Sequence, residues 1–304
     1  MLKKLLLFSF AILIIPYIIV SIFIRNDEIT FNFSSSSVVR VYRSDTGVID
    51  VIPIEEYVLG VLAGEMPIEF ELEALKAQAV AARSYVMIQM ERNSGRNYDV
   101  VDTVLNQVYL DEEYLMAVWK NSYIDNINKI KTAVLSTKGE YVSYDNKVAE
   151  TLFFSTSPGK TENSEDVFSN KVAYLRSVDS SWDIISPVYE TKKELTLLSF
   201  YNSLNLRYSD TLNIEVLNTT ETGRIKKIRI NNSIYTGNEV CSLLGLRSTF
   251  FTIEKSDNSV IIYNKGYGHG VGMSQYGAEA MAENGYNYQD ILKHYYQEKK
   301  KKKF

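Results

Sequence analysis

The sequence predicts an α+β fold of mixed helices and antiparallel strands, preceded by a single N-terminal transmembrane helix. Three observations predict it. Of the 304 residues, 45% are hydrophobic and 23% charged, the balance of a chain that packs a core. Apolar residues at helical spacing alternate with strand-like runs, without a regular βαβ rhythm. The first 25 residues stand apart: Lys3 and Lys4 precede 20 uncharged, largely apolar residues from Leu5 to Ile24, and Arg25 follows.

That apolar length matches a bilayer core of about 30 Å. Lys3 and Lys4 favour a cytoplasmic N-terminus. No small-x-small cleavage site follows, so residues 1–25 read as a retained anchor with the bulk of the chain outside the cytoplasm. A net charge of −4 argues against nucleic acid as a partner. Cys241 is the single cysteine, which excludes a disulfide within the chain. It lies in the apolar pattern "GNEVCSLLGL" and reads as a buried, inert thiol.

Residues 26–37 form a polar spacer containing "SSSS". "VVRVYR" (Val38–Arg43) and "GVIDVIP" (Gly47–Pro53) alternate like a hairpin. Ile54, Tyr57, Val58, Val61 and Leu62 line one helical stripe, which Gly64 ends. A second helix is predicted over Phe70–Arg92, and its five alanines between 74 and 82 permit close approach of another backbone. Further helices are predicted over Asp111–Lys120, Tyr123–Ser136 and Thr191–Leu204. "EYVSYDNKVAETLFFSTS" reads as a second hairpin turning at Asp145-Asn146. "LNIEVL", "RIKKIRIN", "TFFTIEK" and "SVIIYN" are strand-like, and two short helices follow the glycine-rich segment Gly266–Gly277. The "KKKKKF" end, within residues 297–304, reads as a disordered, solvated basic tail.

Three segments are rich in polar and glycine residues at element ends, where sites are built. "AGEMP" holds Glu65 between Gly64 and Met66-Pro67. "STSPGKTENSEDVF" (Ser155–Phe168) follows an apolar run, and "GYGHGVGMSQYGA" (Gly266–Ala278) follows a strand. Each also has a plain structural reading, as a helix cap, a series of side-chain turns and a tight backbone crossing. Arg83 lies on an apolar helical face, so its guanidinium needs an acceptor. A structural ion pair and a role beside Glu65 both satisfy that need. His269 either fixes the glycine loop or touches substrate. Two histidines and one cysteine without HExxH or CxxC spacing give no reason to expect a metal or other cofactor. No GxSxG setting surrounds Ser84, Ser157 or Ser274, which argues against a serine hydrolase.

In this order, "VLGVLAGEMPIEFELEALKAQAVAARSY", "FFSTSPGKTENSEDVF" with "YLRSV", and "GLRSTFFTI" with "GYGHGVGMSQYGAEAMAENGYNYQDILKHYY" resemble the SpoIID family and its SpoIID/LytB-domain relatives. Together the matching pieces extend across most of residues 38–296, which the resemblance makes one catalytic domain. It implies a peptidoglycan lytic transglycosylase that cleaves between N-acetylmuramic acid and N-acetylglucosamine and leaves 1,6-anhydromuramoyl ends. The "GEMP" glutamate, here Glu65, is then the catalytic acid. Supporting or substrate-binding positions are Arg83, Ser155, Ser157, Thr161, Glu162, Asn163, Arg176, His269, Gln275 and Tyr276. Two departures stand out. Ser157-Pro158-Gly159 replaces the usual Ser-Gly-Gly, and Tyr276 stands where Trp is common. The resemblance further implies action at the septal membrane during engulfment, on strands stripped by an amidase, with stage II sporulation proteins P and M as partners. The LytB relatives imply a different class: a non-catalytic glycan-binding module that enhances an amidase. A scaffold that only tethers partners is a third.

Overall fold

In a computed structural model, the described residues are 14, 28–30, 37–297 and 300–303. The predicted anchor and most of the spacer lie outside them. Among the described residues no helix is long and apolar enough to cross a membrane.

The described chain is α+β, with two hydrophobic cores. The hairpin at its start is β1 (Val38–Tyr42) against β2 (Ile49–Pro53), antiparallel, and β3 (Val100–Val101) adds to β1 in parallel. Next come α1 (Ile54–Glu65) and α2 (Leu72–Arg92). Helix α2 is the axis of the first core. Ala74, Ala77, Ala79, Ala81 and Ala82 are all fully buried. Their small side chains let other elements crowd the helix on every side, so it shows no clean amphipathic stripe. Its neighbours are α1, α4 (Tyr123–Ser136), α8 (Gln275–Glu283), α9 (Tyr288–Tyr296) and β4 (Glu140–Tyr144). Helix α3 (Glu112–Trp119) packs against α4, capped by the Asp111 side chain.

The turn at Asp145-Asn146 forms as expected, with φ of 48° and 62°. Its second arm is short: only β5 (Lys147–Val148) returns along β4. The apolar residues beyond leave the hairpin, and β6 (Phe153–Phe154) pairs in parallel with β13 (Met273–Ser274). So the strands are not all antiparallel. A single helical turn, α5 (Ser164–Val167), follows β6.

The second core lies within residues 190–265. One sheet has the order β10-β9-β8 (Ser233–Thr236, Ile225–Ile230, Ile214–Thr219). The other has the order β11-β12-β7 (Phe251–Ser256, Ser259–Lys265, Glu190–Thr196). Helices α6 (Leu197–Ser203) and α7 (Gly237–Leu244) bring Phe200, Tyr201 and Val240 against Ile228, Ile230 and Ile262. The helix predicted over Thr191–Leu204 is therefore corrected: its first half is β7, and only Leu197 onward is helical. Pairing with β12 along its whole length overrides the helix preference of "KKEL". The Thr196 side chain then caps α6. Strand β10 lies outside the strand-like runs of the sequence. The backbone of the basic tail is corrected too, since Lys300–Lys303 forms β14 against β4. A ladder is made by peptide groups, so the sheet edge offered by β4 can pair even a lysine run.

Candidate active site

Glu65 is the last residue of α1. Gly64 explains its setting. A Cβ at Gly64 would stand 2.7 Å from the Val108 carbonyl oxygen, so only glycine lets the segment after β3 lie against the helix. That approach brings the Val108 N–H to Glu65 Oε1 at 2.7 Å. Met66 is extended, as the residue before a proline must be, so the chain leaves the helix at once. Gln275 Nε2 donates to the Glu65 carbonyl at 3.0 Å and fixes the end of α1 from the other side. The carboxyl is half-buried, and that burial raises its pKa above the usual glutamate value, against the opposing pull of Val108 and Gln275. The negative end of α1 acts in the same direction as burial.

Glu65 opens onto a cleft of about 860 Å³. Tyr85, Phe153, Phe154, Phe168, Tyr267 and Tyr276 supply aromatic surface to its walls. Val104 and Leu105, 86% and 79% exposed, form an apolar rim. Among the described residues Glu65 is the one carboxylate that lines it.

The two polar loops meet here as neighbouring strands. Besides the β6–β13 pair, the backbones of Thr156 and Tyr267 exchange hydrogen bonds of 3.0 and 2.8 Å, and Glu162 N–H donates to Gly270 O at 2.7 Å. Glycine is required for this zipping. Gly272 has φ of 82°, and a Cβ there would stand 2.0 Å from the Leu152 carbonyl oxygen. Ser155 lines the cleft and accepts from Tyr276 N–H at 3.1 Å through its carbonyl. Tyr276 in turn meets Phe70 edge-on, with ring centroids 5.0 Å apart.

Five of the expected site residues, Glu65, Ser155, His269, Gln275 and Tyr276, thus line one cleft. Six do not. Arg83 is fully buried in a two-pronged ion pair with Glu55, at 2.6 and 3.0 Å, and also donates to Glu140 O at 2.9 Å. Glu55 lies in the first turn of α1 and Glu65 at its end, roughly 15 Å along the axis at 1.5 Å per residue. Arg83 therefore pins α1 to α2 and does not reach the cleft. Arg176 is spent on Glu165, at 2.7 Å, and on Ser164. Glu162 is fully buried 3.2 Å from Arg224. The Thr161 and Asn163 side chains accept the backbone N–H groups of Val178 and Ser177. Ser157 Oγ accepts from Gly159 N–H at 3.2 Å. The loop turns at Gly159, with φ of 124°, one residue after Pro158.

His269 both lines the cleft and fixes the loop. Its Nδ1 accepts from Val271 N–H at 3.0 Å, which leaves the proton on Nε2, hydrogen-bonded to the Phe153 backbone. Burial and the nearby Arg224 charge lower its pKa to about 4, so the ring is neutral and its nitrogens are committed.

Several residues of the site carry no signal in the sequence. Val108, and Asn106, which lines the cleft and donates to Tyr85 Oη at 3.1 Å, come from a loop without a motif. Asp183, in "SSWD", is fully buried and ties both loops together. It accepts from Ser157 N–H at 2.7 Å, from Ser180 Oγ at 2.6 Å and from the Ser274 hydroxyl. Burial pushes it up to about 6 despite those donors.

The chain is 42% identical over 265 residues to stage II sporulation protein D of Bacillus amyloliquefaciens, covering 85% of this chain and 77% of that one. The chain belongs to the SpoIID family. The family model described as stage II sporulation protein matches residues 42–144, which contain Glu65 and Val108. Stage II sporulation protein D of Bacillus subtilis (strain 168) is 39% identical over 264 residues, at 85% and 77% coverage. The amidase enhancer of the same strain is 31% identical over 294 residues, covering 78% of this chain and 39% of that one.

Proposed function

We propose that this SpoIID-family chain is a lytic transglycosylase of peptidoglycan glycan strands. A half-buried carboxylic acid, the one among the described residues to line an aromatic-walled cleft, carries the reading. Hydrolytic glycosidases use two carboxyl groups, one as acid and one as nucleophile or as base for water. A cleft with one suits a reaction whose nucleophile is the sugar's own C6 hydroxyl.

Glu65, whose acid form burial favours, donates its proton to the glycosidic oxygen as the bond to C1 breaks. The leaving sugar departs with a new hydroxyl. The Glu65 carboxylate, now charged, takes the proton of the C6 hydroxyl as O6 closes on the oxocarbenium-like C1. No water enters, and Glu65 ends protonated. Val108 N–H holds Oε1 throughout, which leaves Oε2 as the oxygen that exchanges the proton. The aromatic walls offer flat apolar faces for sugar rings.

In this reading the apolar N-terminus anchors the chain in the septal membrane during sporulation, and stage II sporulation proteins P and M are its partners. The likeness to an amidase enhancer favours a second reading, a glycan-binding module without activity of its own. One experiment separates them: release of soluble fragments from peptide-stripped strands, followed against pH with no amidase present. The expected result is release by the chain alone, with kcat/KM falling as pH rises through the raised pKa of Glu65, because the acid form is the reactive one. No release at any pH, with stimulation of an added amidase, would support the second reading.

A further inference from the structure

A second cavity, of about 560 Å³, adjoins the Glu65 cleft. The two share Phe168, Arg247, Gly268 and His269 as a common wall. The second cavity is basic: Arg224, Lys226, Lys227 and Arg247 line it, against one acid, Asp166. Asp166 is already paired with Lys226 at 2.8 Å. Glu162 lies beside Arg224, yet Arg224 Nη2 is buried there without a hydrogen-bond partner. Among the described residues no carboxylate pairs with Lys227 or Arg247. Arg247 is the junction. Its backbone is tied to the floor of both cavities, since Asn264 Oδ1 accepts its N–H at 2.8 Å and its carbonyl accepts from Gly268 N–H at 2.9 Å. Its guanidinium lies over the Tyr267 ring, 5.4 Å from the centroid, which holds the charge at the cleft mouth without neutralising it.

We propose that Arg247, with Lys227 beyond it, is a specificity-determining residue that binds a carboxylate carried by a sugar seated in the Glu65 cleft. The inference rests on the glycan reading above and deepens it. Arg247 lines both cavities, so it is placed to meet an anion that hangs directly from the ring. The lactyl ether of muramic acid places a carboxylate there once its peptide has been removed. A peptide in place turns that carboxylate into an amide, and its own carboxylates lie further out. A planar guanidinium takes a carboxylate through two parallel hydrogen bonds, which a neutral amide cannot match.

The test is equilibrium binding in a full-length Glu65→Gln background, so that strands stay uncut. Three probes are used: peptide-free glycan strands, the same strands with lactyl carboxylates converted to methylamides, and neutral β-1,4-linked N-acetylglucosamine oligomers. Arg247→Gln is expected to weaken the first about tenfold, the scale of one charge-assisted contact, and to leave the other two unchanged. Lys227→Gln should weaken the first probe less, and added salt should weaken only that probe. Equal weakening of all three, or no weakening of the first, would overturn the proposal while the glycan reading stands. Binding of none of the three by protein with Arg247 intact would overturn the glycan reading, and this inference with it.

Discussion

Glu65→Gln is expected to reduce strand cleavage by about 10³-fold or more, toward the upper end of what a positioned general acid contributes. The amide has the shape of the carboxyl group and still accepts from Val108 N–H, so the end of α1 keeps its geometry. It has no acid proton to give. The same change separates function from stability. Burial raises the Glu65 pKa, so the folded state binds its proton more tightly than the unfolded chain does. The stability this group contributes is complete below the ordinary glutamate pKa and is lost as pH rises through the folded value. The Gln variant has no such loss. It should match wild type in acid and be the more stable protein at neutral pH, as urea titrations at the two pH values will show. Activity within tenfold of wild type would remove Glu65 from the chemistry.

Arg83→Met is expected to cost about 3–5 kcal/mol, because it leaves Glu55 charged and buried without its partner. For a chain of this size that is a fall of roughly 10 °C in Tm. Adding Glu55→Gln should recover part of the loss. The amide still accepts from Gly139 N–H, as Glu55 Oε1 does at 3.1 Å, and no unpaired charge remains. Below the unfolding transition the single variant should keep the kcat of wild type, since Arg83 lies at the far end of α1 from Glu65. A stable variant with a collapsed kcat would instead place Arg83 in the catalytic machinery.

These two residues show how much of the site was legible in the sequence. Glu65 was visible because its frame is local: Gly64, Pro67 and the helix end are all contiguous with it. Gln275 and Tyr276 were visible through a long contiguous motif. Arg83 was visible as a buried cation, but its partner, Glu55, lies 28 residues away on another helix and carries no signal of its own. The Ser155–Phe168 loop misled for a related reason. Its polar composition is what a sugar site needs, and it is equally what a buried loop needs to satisfy its own backbone. Thr161, Asn163 and Ser157 serve the second purpose. Most helices were readable from apolar spacing, whereas β7 was not, because its partner β12 is more than sixty residues away and local preference favoured a helix. Val108 and Asp183 join the site only through tertiary packing, and Arg247, although it stands within "GLRSTFFTI", had no partner there to mark it as a site residue. No spacing rule links a loop after β3, a turn near Trp182 and the segment before β11.

In the proposed reaction one carboxylic acid, Glu65, cleaves the strand without water. The most direct measurement is the mass of the new muramic ends made by the full chain from peptide-free strands in ¹⁸O-labelled water. The expected ends are 1,6-anhydromuramoyl, lighter than reducing ends by one water and free of label. Reducing ends carrying ¹⁸O would mean that water attacks C1 and that Glu65 is not the sole acid and base.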